Sequence, residues 1–409
     1  MRTSIMAFGS AWILRETKDC WKNYGEKIKL LGKVGNRRIH IRRGGNMLDV
    51  PLITKQDVEL IFNAMSNKDK EKIANSTILV TGFAGSLGYS LLHFFAVYGE
   101  QLGIRKVYGI DNYMFGKPIW LERILGYPIF DLRELDIINC DLDFASDADI
   151  IFHMASLASP VYYRKYPIQT MDADVIGLRR LLDFFRDKAI RGFLFYSSSE
   201  VYGEPDSSQI PTAESYWGNV HTCGPRACYD ESKRFGETLC YNFAHEYEMP
   251  VTIVRPFNNY GPGMRINDQR VVADFAKAVL DNDDIVIYSN GKPTRTFDYI
   301  PDATVGYIKC ALHGKFDIFN IGSDRDEITI TELAALYQNI GKTLFNYAGK
   351  IVYKSHWDKE YLTDNPNRRC PNITKAREFL QYEPQIHIEE GIKRYLRYLI
   401  NCQREEIEW

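Results

Sequence analysis

Tyr229 and Lys233 stand four residues apart in "GPRACYDESKRFGETLCYNFAHEY". On a helix that spacing puts both side chains on one face, where the ammonium favours the ionised form of the phenol. Each unit by which a phenol falls from about 10 is worth about 1.36 kcal/mol toward the charged base. Such a tyrosine can accept a proton near neutral pH. The spacing alone says little in a chain with 26 tyrosines, and Tyr113 with Lys117 and Tyr288 with Lys292 repeat it. Those two pairs contain glycine and run into proline, so neither belongs to a helix. A second constellation is "TGFAGSLG", which sets Gly82, Gly85 and Gly88 between an apolar run and a helical segment. Glycines there permit a tight turn and let the backbone approach a pyrophosphate at a helix N-terminus, whose free N–H groups and dipole favour negative charge. Asp111 closes the next apolar run, where a carboxylate accepts from both hydroxyls of an adenosine ribose and disfavours a 2'-phosphate. The expected cofactor is therefore NAD rather than NADP. Asp141 in "NCDL" is placed to meet the adenine, and Ser86, Leu87, Asn112, Leu142 and Ser156 complete the expected cofactor contacts.

A scaffold must bring the glycine turn, the carboxylate and the tyrosine helix to one edge. The runs "STILVT", "KVYGI", "ADIIFHMA", "GFLFYSS" and "PVTIVRP" are short and nearly continuously apolar, as strands covered on both faces are. Amphipathic stretches such as "YSLLHFFAVYGEQLG" and "VIGLRRLLDFFRDKA" lie between them. This alternation predicts right-handed crossovers and an α/β fold with a doubly wound parallel sheet of Rossmann type. Residues 75–256 are expected to hold NAD. Residues 257–409, denser in Gly and Pro, are expected to be mainly a smaller substrate-binding domain, with some segments returning to the sheet. Residues 1–74 read as an added N-terminal element. Its first fifty residues carry eleven Lys or Arg against four Asp or Glu, with Arg37, Arg38, Arg42 and Arg43 close together, a pattern that suits a solvated strand edge. After them, Val58, Ile61, Phe62 and Met65 share one helical face, with Thr54 as the expected N-cap.

Composition narrows the classes. The chain has 409 residues, 45% apolar and 25% charged, the mixture of an ordinary globular protein of two or three folding units. A net charge of -2 gives no general attraction to nucleic acid or to an anionic membrane, so an anionic ligand must be caught locally. The eight cysteines form no CxxC pair and signal neither a metal site nor a redox dithiol. With no apolar run long enough to span a bilayer, the expected location is the cytoplasm.

Taken together, the glycine turn, the serine-rich strand end and the Tyr229/Lys233 pair resemble the extended short-chain dehydrogenases that modify nucleotide sugars, over residues 76 to about 400. Within that family "IFHMASLASP", "SSSEVYG", "GPRACYDESKR", "NDQRVV" and "NRRCPNI" look like the UDP-glucuronic acid decarboxylases that make UDP-xylose. The resemblance implies that Tyr229 removes the proton of the sugar's C4 hydroxyl while hydride passes from C4 to NAD. The 4-keto sugar then loses its carboxylate from C5 to leave an enolate, and protonation at C5 and return of the hydride regenerate NAD. It further implies that Lys233 assists Tyr229, that Ser198 lies beside C4, that Glu200 lies near C5, and that Arg369 meets the sugar carboxylate or assists protonation. For the diphosphate, Arg270 and Arg295 are expected, since guanidinium grips phosphate bidentately, with an amide from Asn258. The expected assembly is a homodimer through the helix that bears Tyr229.

The competing branches are 4-epimerases and 4,6-dehydratases. Dehydratases place an Asp-Glu pair where this chain has Ser199-Glu200, so half of the water-eliminating apparatus is missing. A silent NAD-binding regulator is a further alternative, against which the complete set of Tyr229, Lys233, Ser198 and Glu200 argues. The chain departs from the family pattern in four places: Phe83 stands for the second glycine, Ser86 for a larger apolar residue and Asp174 for an asparagine, and "GPGMRINDQR" shifts an arginine from after the proline to Arg265.

Overall fold

The computed structural model describes residues 51–356 and 363–404, and the basic run from Arg37 to Arg43 lies outside them. Seven parallel strands build the central sheet: β1 (Thr77–Thr81), β2 (Lys106–Asp111), β3 (Phe130–Glu134), β4 (Ile150–His153), β5 (Gly192–Tyr196), β6 (Val251–Pro256) and β7 (Asp317–Ile321). Their order is β7-β6-β5-β4-β1-β2-β3, so the sheet reverses direction between β1 and β4 and opens a crevice at the strands' carboxyl ends. Five strands are the apolar runs of the sequence. The other two escape that pattern for physical reasons: β3 ("FDLRE") is an edge strand with two exposed charged residues, and β7 ("DIFNI") carries Asn320 as a buried crosslink rather than as an apolar residue.

The sheet separates two cores, as its pleat requires. Ile78 and Val80 face helix α3 (Ser86–Tyr98) and helix α8 (Ile300–Ala311), whereas Leu79 faces helix α6 (Leu178–Phe185) and helix α7 (Ala227–Glu246). Helix α3 tolerates Gly88 in its first turns because Leu92, Phe94 and Phe95 are fully buried. Each contributes about 1.5–3 kcal/mol, against about 1 kcal/mol lost to the glycine.

Residues 51–74 form helix α1 (Leu52–Ala64) and helix α2 (Asn67–Ile73). The expected N-cap at Thr54 is corrected: Pro51 caps α1, and Thr54 lies inside the helix. Proline sets the backbone just ahead of the first turn, leaving the Thr54 hydroxyl free to meet Tyr89 Oη at 2.7 Å. Asp57 ties the same helix to the C-terminal half, accepting from Tyr299 Oη at 2.8 Å and Arg394 Nη1 at 3.1 Å.

Candidate active site

At the crevice, Gly82 turns the chain out of β1 with φ at 71°. A Cβ there would lie 2.7 Å from the Ala155 backbone, and one at Gly88 would lie 2.0 Å from the Phe83 carbonyl oxygen, so both positions require glycine. Gly85 is the N-cap of α3 and no side chain caps that end, which leaves its N–H groups available for an anion. Phe83 is fully buried, edge-on to Tyr113 at 5.8 Å. Its ring lies against Gly109 of β2, so the bulk that replaces the second glycine turns into the core and away from the crevice.

Asp111 ends β2 with Oδ2 accepting from the Ala84 amide at 2.9 Å and Oδ1 from the Tyr113 amide at 2.8 Å. Burial raises its pKa, and the two amides oppose that. Each oxygen keeps an acceptor site for a diol. Ser86, Leu87 and Ser156 line the cavity, and the buried Ser156 Oγ has no partner among the described residues. Asn112, Asp141 and Leu142 do not line the cavity, and neither do Asp111 and the three glycines, of which Gly85 and Gly88 flank Ser86 and Leu87 in the chain. Asn112 is exposed and donates to Asp136 Oδ2 at 3.1 Å, Asp141 is exposed and accepts from the Asp143 amide at 2.9 Å, and Leu142 is buried in the core. The uncapped helix end, the glycine cradle, the diol-ready carboxylate and the unpartnered serine together fit NAD.

The same cavity, of about 330 Å³, continues past Ser198, Glu200, Tyr229 and Lys233 to Asn258, Arg270, Arg295 and Arg369. Ser198 caps the short turn Ser199–Tyr202, its Oγ accepting from the Glu200 amide at 3.2 Å. Its hydroxyl also acts on the neighbouring Tyr229 phenol, favouring the ionised form. Tyr229 sits in the first turn of α7, its ring stacked on Tyr163 at 5.0 Å. Lys233 Nζ donates to the Tyr196 carbonyl at 2.9 Å and lies 2.9 Å from Asp174 Oδ1. The expectation that lysine would favour the phenolate is therefore incomplete. Burial, and next the Asp174 charge, push the Tyr229 phenol up rather than down.

Beside Tyr229 lies a buried ionic cluster. Arg369 grips Glu200 with Nη1 to Oε1 at 2.6 Å and Nη2 to Oε2 at 2.7 Å, and Arg226 Nη2 reaches Oε2 at 2.5 Å. Burial alone would raise the Glu200 carboxyl, but the two guanidiniums outweigh it and hold it at about 2. Asp230 lies 3.8 Å from Arg226 Nε. Burial and the Glu200 charge push its carboxyl up to about 8, so it keeps its proton at neutral pH. Arg226, Arg369 and Glu200 then sum to one net positive charge. Sequence reasoning missed Arg226 and Asp230. The available signal was their placement in "GPRACYDE", where Arg226 immediately precedes α7 and Asp230 follows Tyr229.

The three residues expected at the diphosphate line the cavity, yet each also has a protein partner. Arg270 pairs with Asp268, Nη2 to Oδ2 at 3.1 Å. Arg295 donates to the Pro366 carbonyl at 2.6 Å and to Asn365 Oδ1 at 3.2 Å. Strand Thr294–Arg295 pairs with strand Arg368–Arg369 in the register Arg295↔Arg369. Burial and the neighbouring Arg369 lower its guanidinium to about 9, so Arg295 braces the segment that carries Arg369. Asn258 donates Nδ2–H to the Thr296 carbonyl at 2.9 Å. Among the described residues no cluster of His, Cys, Asp and Glu is arranged to hold a metal ion.

The Glu200 cluster makes one expected result specific. A carboxyl held low in the folded state stabilises the fold above its unfolded value and loses that contribution as pH falls through the folded value. Denaturant unfolding at stepped pH is therefore expected to show stability falling between 4.5 and 2. Glu200→Gln should remove that part of the slope, and an unchanged slope would dissociate Glu200 from the acid response.

Fold and site together define a class: the chain belongs to the NAD dependent epimerase/dehydratase family, whose model matches residues 78–322. Among curated proteins it is similar to UDP-glucuronic acid decarboxylase 1 of Xenopus tropicalis, 33% identical over 344 residues, covering 84% of this chain and 75% of that protein. It is similar also to UDP-glucuronic acid decarboxylase 1 of Arabidopsis thaliana, 35% identical over 317 residues, covering 78% and 68%. Among solved structures it matches UDP-glucose 4-epimerase of Thermotoga maritima with UDP-glucose, with a TM-score of 0.68 and 25% identity, covering 80% of this chain and 99% of that one.

Proposed function

We propose that this chain is an NAD-dependent decarboxylase of a nucleoside-diphosphate hexuronic acid, converting UDP-glucuronate to UDP-xylose with release of carbon dioxide. The observation that carries this reading is the net positive centre of Arg226, Arg369 and Glu200 beside Tyr229 and Ser198 in one cavity, which suits a sugar with a carboxylate at C5. The decarboxylase relatives support it.

Gly82, Gly85, Ser86, Gly88 and Asp111 would hold NAD, which supplies a hydride acceptor at C4 and later a hydride donor. Tyr229 Oη takes the proton of the C4 hydroxyl, and the Ser198 hydroxyl orients that oxygen. A C4 ketone is β to the carboxylate carbon, so breaking the C5–carboxylate bond leaves electrons that the carbonyl accepts as an enolate, which takes a proton from solvent at C5 to become the 4-keto pentose. Arg369 and Arg226 attract the carboxylate before it departs. Glu200, fully ionised, orients both guanidiniums and carries no proton to donate. Arg270, with Arg295 behind it, meets the diphosphate. In this reading residues 75–256 serve NAD and residues 257–409 mainly serve the sugar nucleotide.

Product analysis by mass spectrometry with UDP-, CDP- and GDP-hexuronates tests the assignment. UDP-glucuronate should give carbon dioxide and a UDP-pentose with no net change in NAD. Interconversion of UDP-glucose and UDP-galactose without gas release would move the chain to the 4-epimerases.

The assembly belongs to the same reading. Ile168, Met171, Ile176 and Phe235 are exposed at 58%, 37%, 46% and 50% on α7 and on the adjoining segment from Pro167 to Gly177. Apolar side chains gathered in this way suit burial against the same face of a second copy. Sedimentation should find a dimer that Phe235→Glu converts to monomer, and a wild-type monomer would end the proposal. No helix among the described residues is long and apolar enough to cross a membrane. A cytoplasmic location is proposed with the rest, supported by the free thiols of Cys140, Cys240 and Cys310.

A further inference from the structure

The geometry points to Asp174 as a positioning residue of the reaction: a buried carboxylate that holds the Lys233 ammonium, offsets its charge and thereby sets the pH at which Tyr229 becomes a base. The inference deepens the reading of Tyr229 as proton acceptor and rests on it.

Asp174 lies in a π-helical turn, Asp172–Gly177, that joins helix Pro167–Met171 to α6. Such turns insert an extra residue into the helical register and recur at functional sites. Here the turn brings Asp174 to zero exposure. A carboxylate so buried needs compensation: only Oδ2 is hydrogen-bonded, and Oδ1, which accepts no hydrogen bond among the described residues, is compensated by an ion pair. Oδ1 is 2.9 Å from Lys233 Nζ, and Oδ2 accepts from Ser232 Oγ at 2.9 Å. Ser232 and Lys233 follow Tyr229 on the same helix, so the contact fixes the helix turn that carries the phenol. The ammonium donates its hydrogen bond to the Tyr196 carbonyl, so Asp174 acts on it through charge at 2.9 Å.

The electrostatic consequence follows from distance. Lys233 Nζ lies 5.5 Å from the Tyr229 ring centroid, near enough for an uncompensated charge to lower a phenol by about one to three units. The adjacent carboxylate, 2.9 Å from Nζ, opposes that field and raises the phenol. The other groups facing the pair do not restore it. His153 is held neutral against Lys233, its pKa lowered to about 3 by burial and by the ammonium. Glu200 raises the phenol and is clamped by Arg226 and Arg369, and Asp230 adds to it only once its carboxyl, pushed up to about 8, has ionised. Tyr163 stacks on the ring, and Arg270 feels the phenol from the far side of the cavity. The Ser198 hydroxyl and the Arg270 guanidinium act in the opposite sense.

In the NAD-loaded full-length protein, Asp174→Asn should keep the Ser232 contact, remove the charge and move the acidic limb of kcat/KM about one to two pH units lower. Asp174→Glu, which keeps the charge, should leave the limb near its wild-type position. A purely structural role would lower the rate at every pH and leave the limb in place, overturning the inference. A second readout needs no turnover: the phenolate difference spectrum of wild type against Tyr229→Phe isolates this one tyrosine, and repeating it in the Asp174→Asn background should give the same downward shift. If Asp174→Asn does not fold, the wild-type titration decides. A phenol at or above about 10, or lowered by less than one unit, supports the inference, and a larger lowering overturns it. Absence of decarboxylation in the wild-type protein would remove the proposed function while leaving the phenolate titration to judge Asp174 on its own.

Discussion

Tyr229→Phe is expected to bind NAD like the wild-type protein and to lose about 10²–10⁴-fold in turnover. The substitution removes a single oxygen. The ring keeps its stack on Tyr163 at 5.0 Å and its place in the first turn of α7, so the fold and the cofactor cradle, which is built on β1 and α3, should be unaffected. What disappears is the proton acceptor, the phenol oxygen that shares the cavity with Ser198. Calorimetric titration with NAD, run beside a carbon dioxide assay, separates the two effects. Turnover within a few-fold of wild type would strip Tyr229 of its role as base.

Arg369→Ala is expected to uncouple the two halves of the reaction. Oxidation at C4 depends on Tyr229 and Ser198 and should persist, whereas carbon dioxide release should fall by about a hundredfold, the cost of a lost charge-stabilising donor. Borodeuteride trapping and mass spectrometry should then reveal an accumulating 4-keto hexuronate that the wild-type enzyme does not build up. Arg369 also makes two of the three contacts that hold Glu200. Breaking a buried pair costs about 3–5 kcal/mol when nothing replaces it, and the remaining Arg226 should keep the loss below that range. Arg369→Lys keeps the charge without the two-pronged geometry and should recover only part of the rate. Equal losses of C4 oxidation and decarboxylation would place Arg369 in general site integrity instead.

The two arginines also explain why Glu200 resisted a reading from sequence. A glutamate after "SSS" looks like an acid or base in reserve. Held at about 2 by Arg226 and Arg369, it is a fixed anion that orients cations. Those three residues lie at positions 200, 226 and 369, and no periodicity connects them. The small sheet that pairs Arg369 with Arg295 is formed by two-residue strands, too short to carry a hydrophobic pattern.

Local sequence rules determined the parts of this protein that are local in the chain: the five apolar strands, the glycine turn into α3, the carboxylate at the end of β2, and the helix that carries Tyr229 and Lys233. Each depends on side-chain period or backbone conformation within one turn or strand, where neighbours in sequence are neighbours in space. Tertiary structure alone decided which charges meet. It set Asp174 against Lys233, clamped Glu200 between Arg226 and Arg369, turned Phe83 into the core and used Arg295 as a brace. Charge effects act through space and grow as water is excluded, so they depend on burial and distance between remote segments.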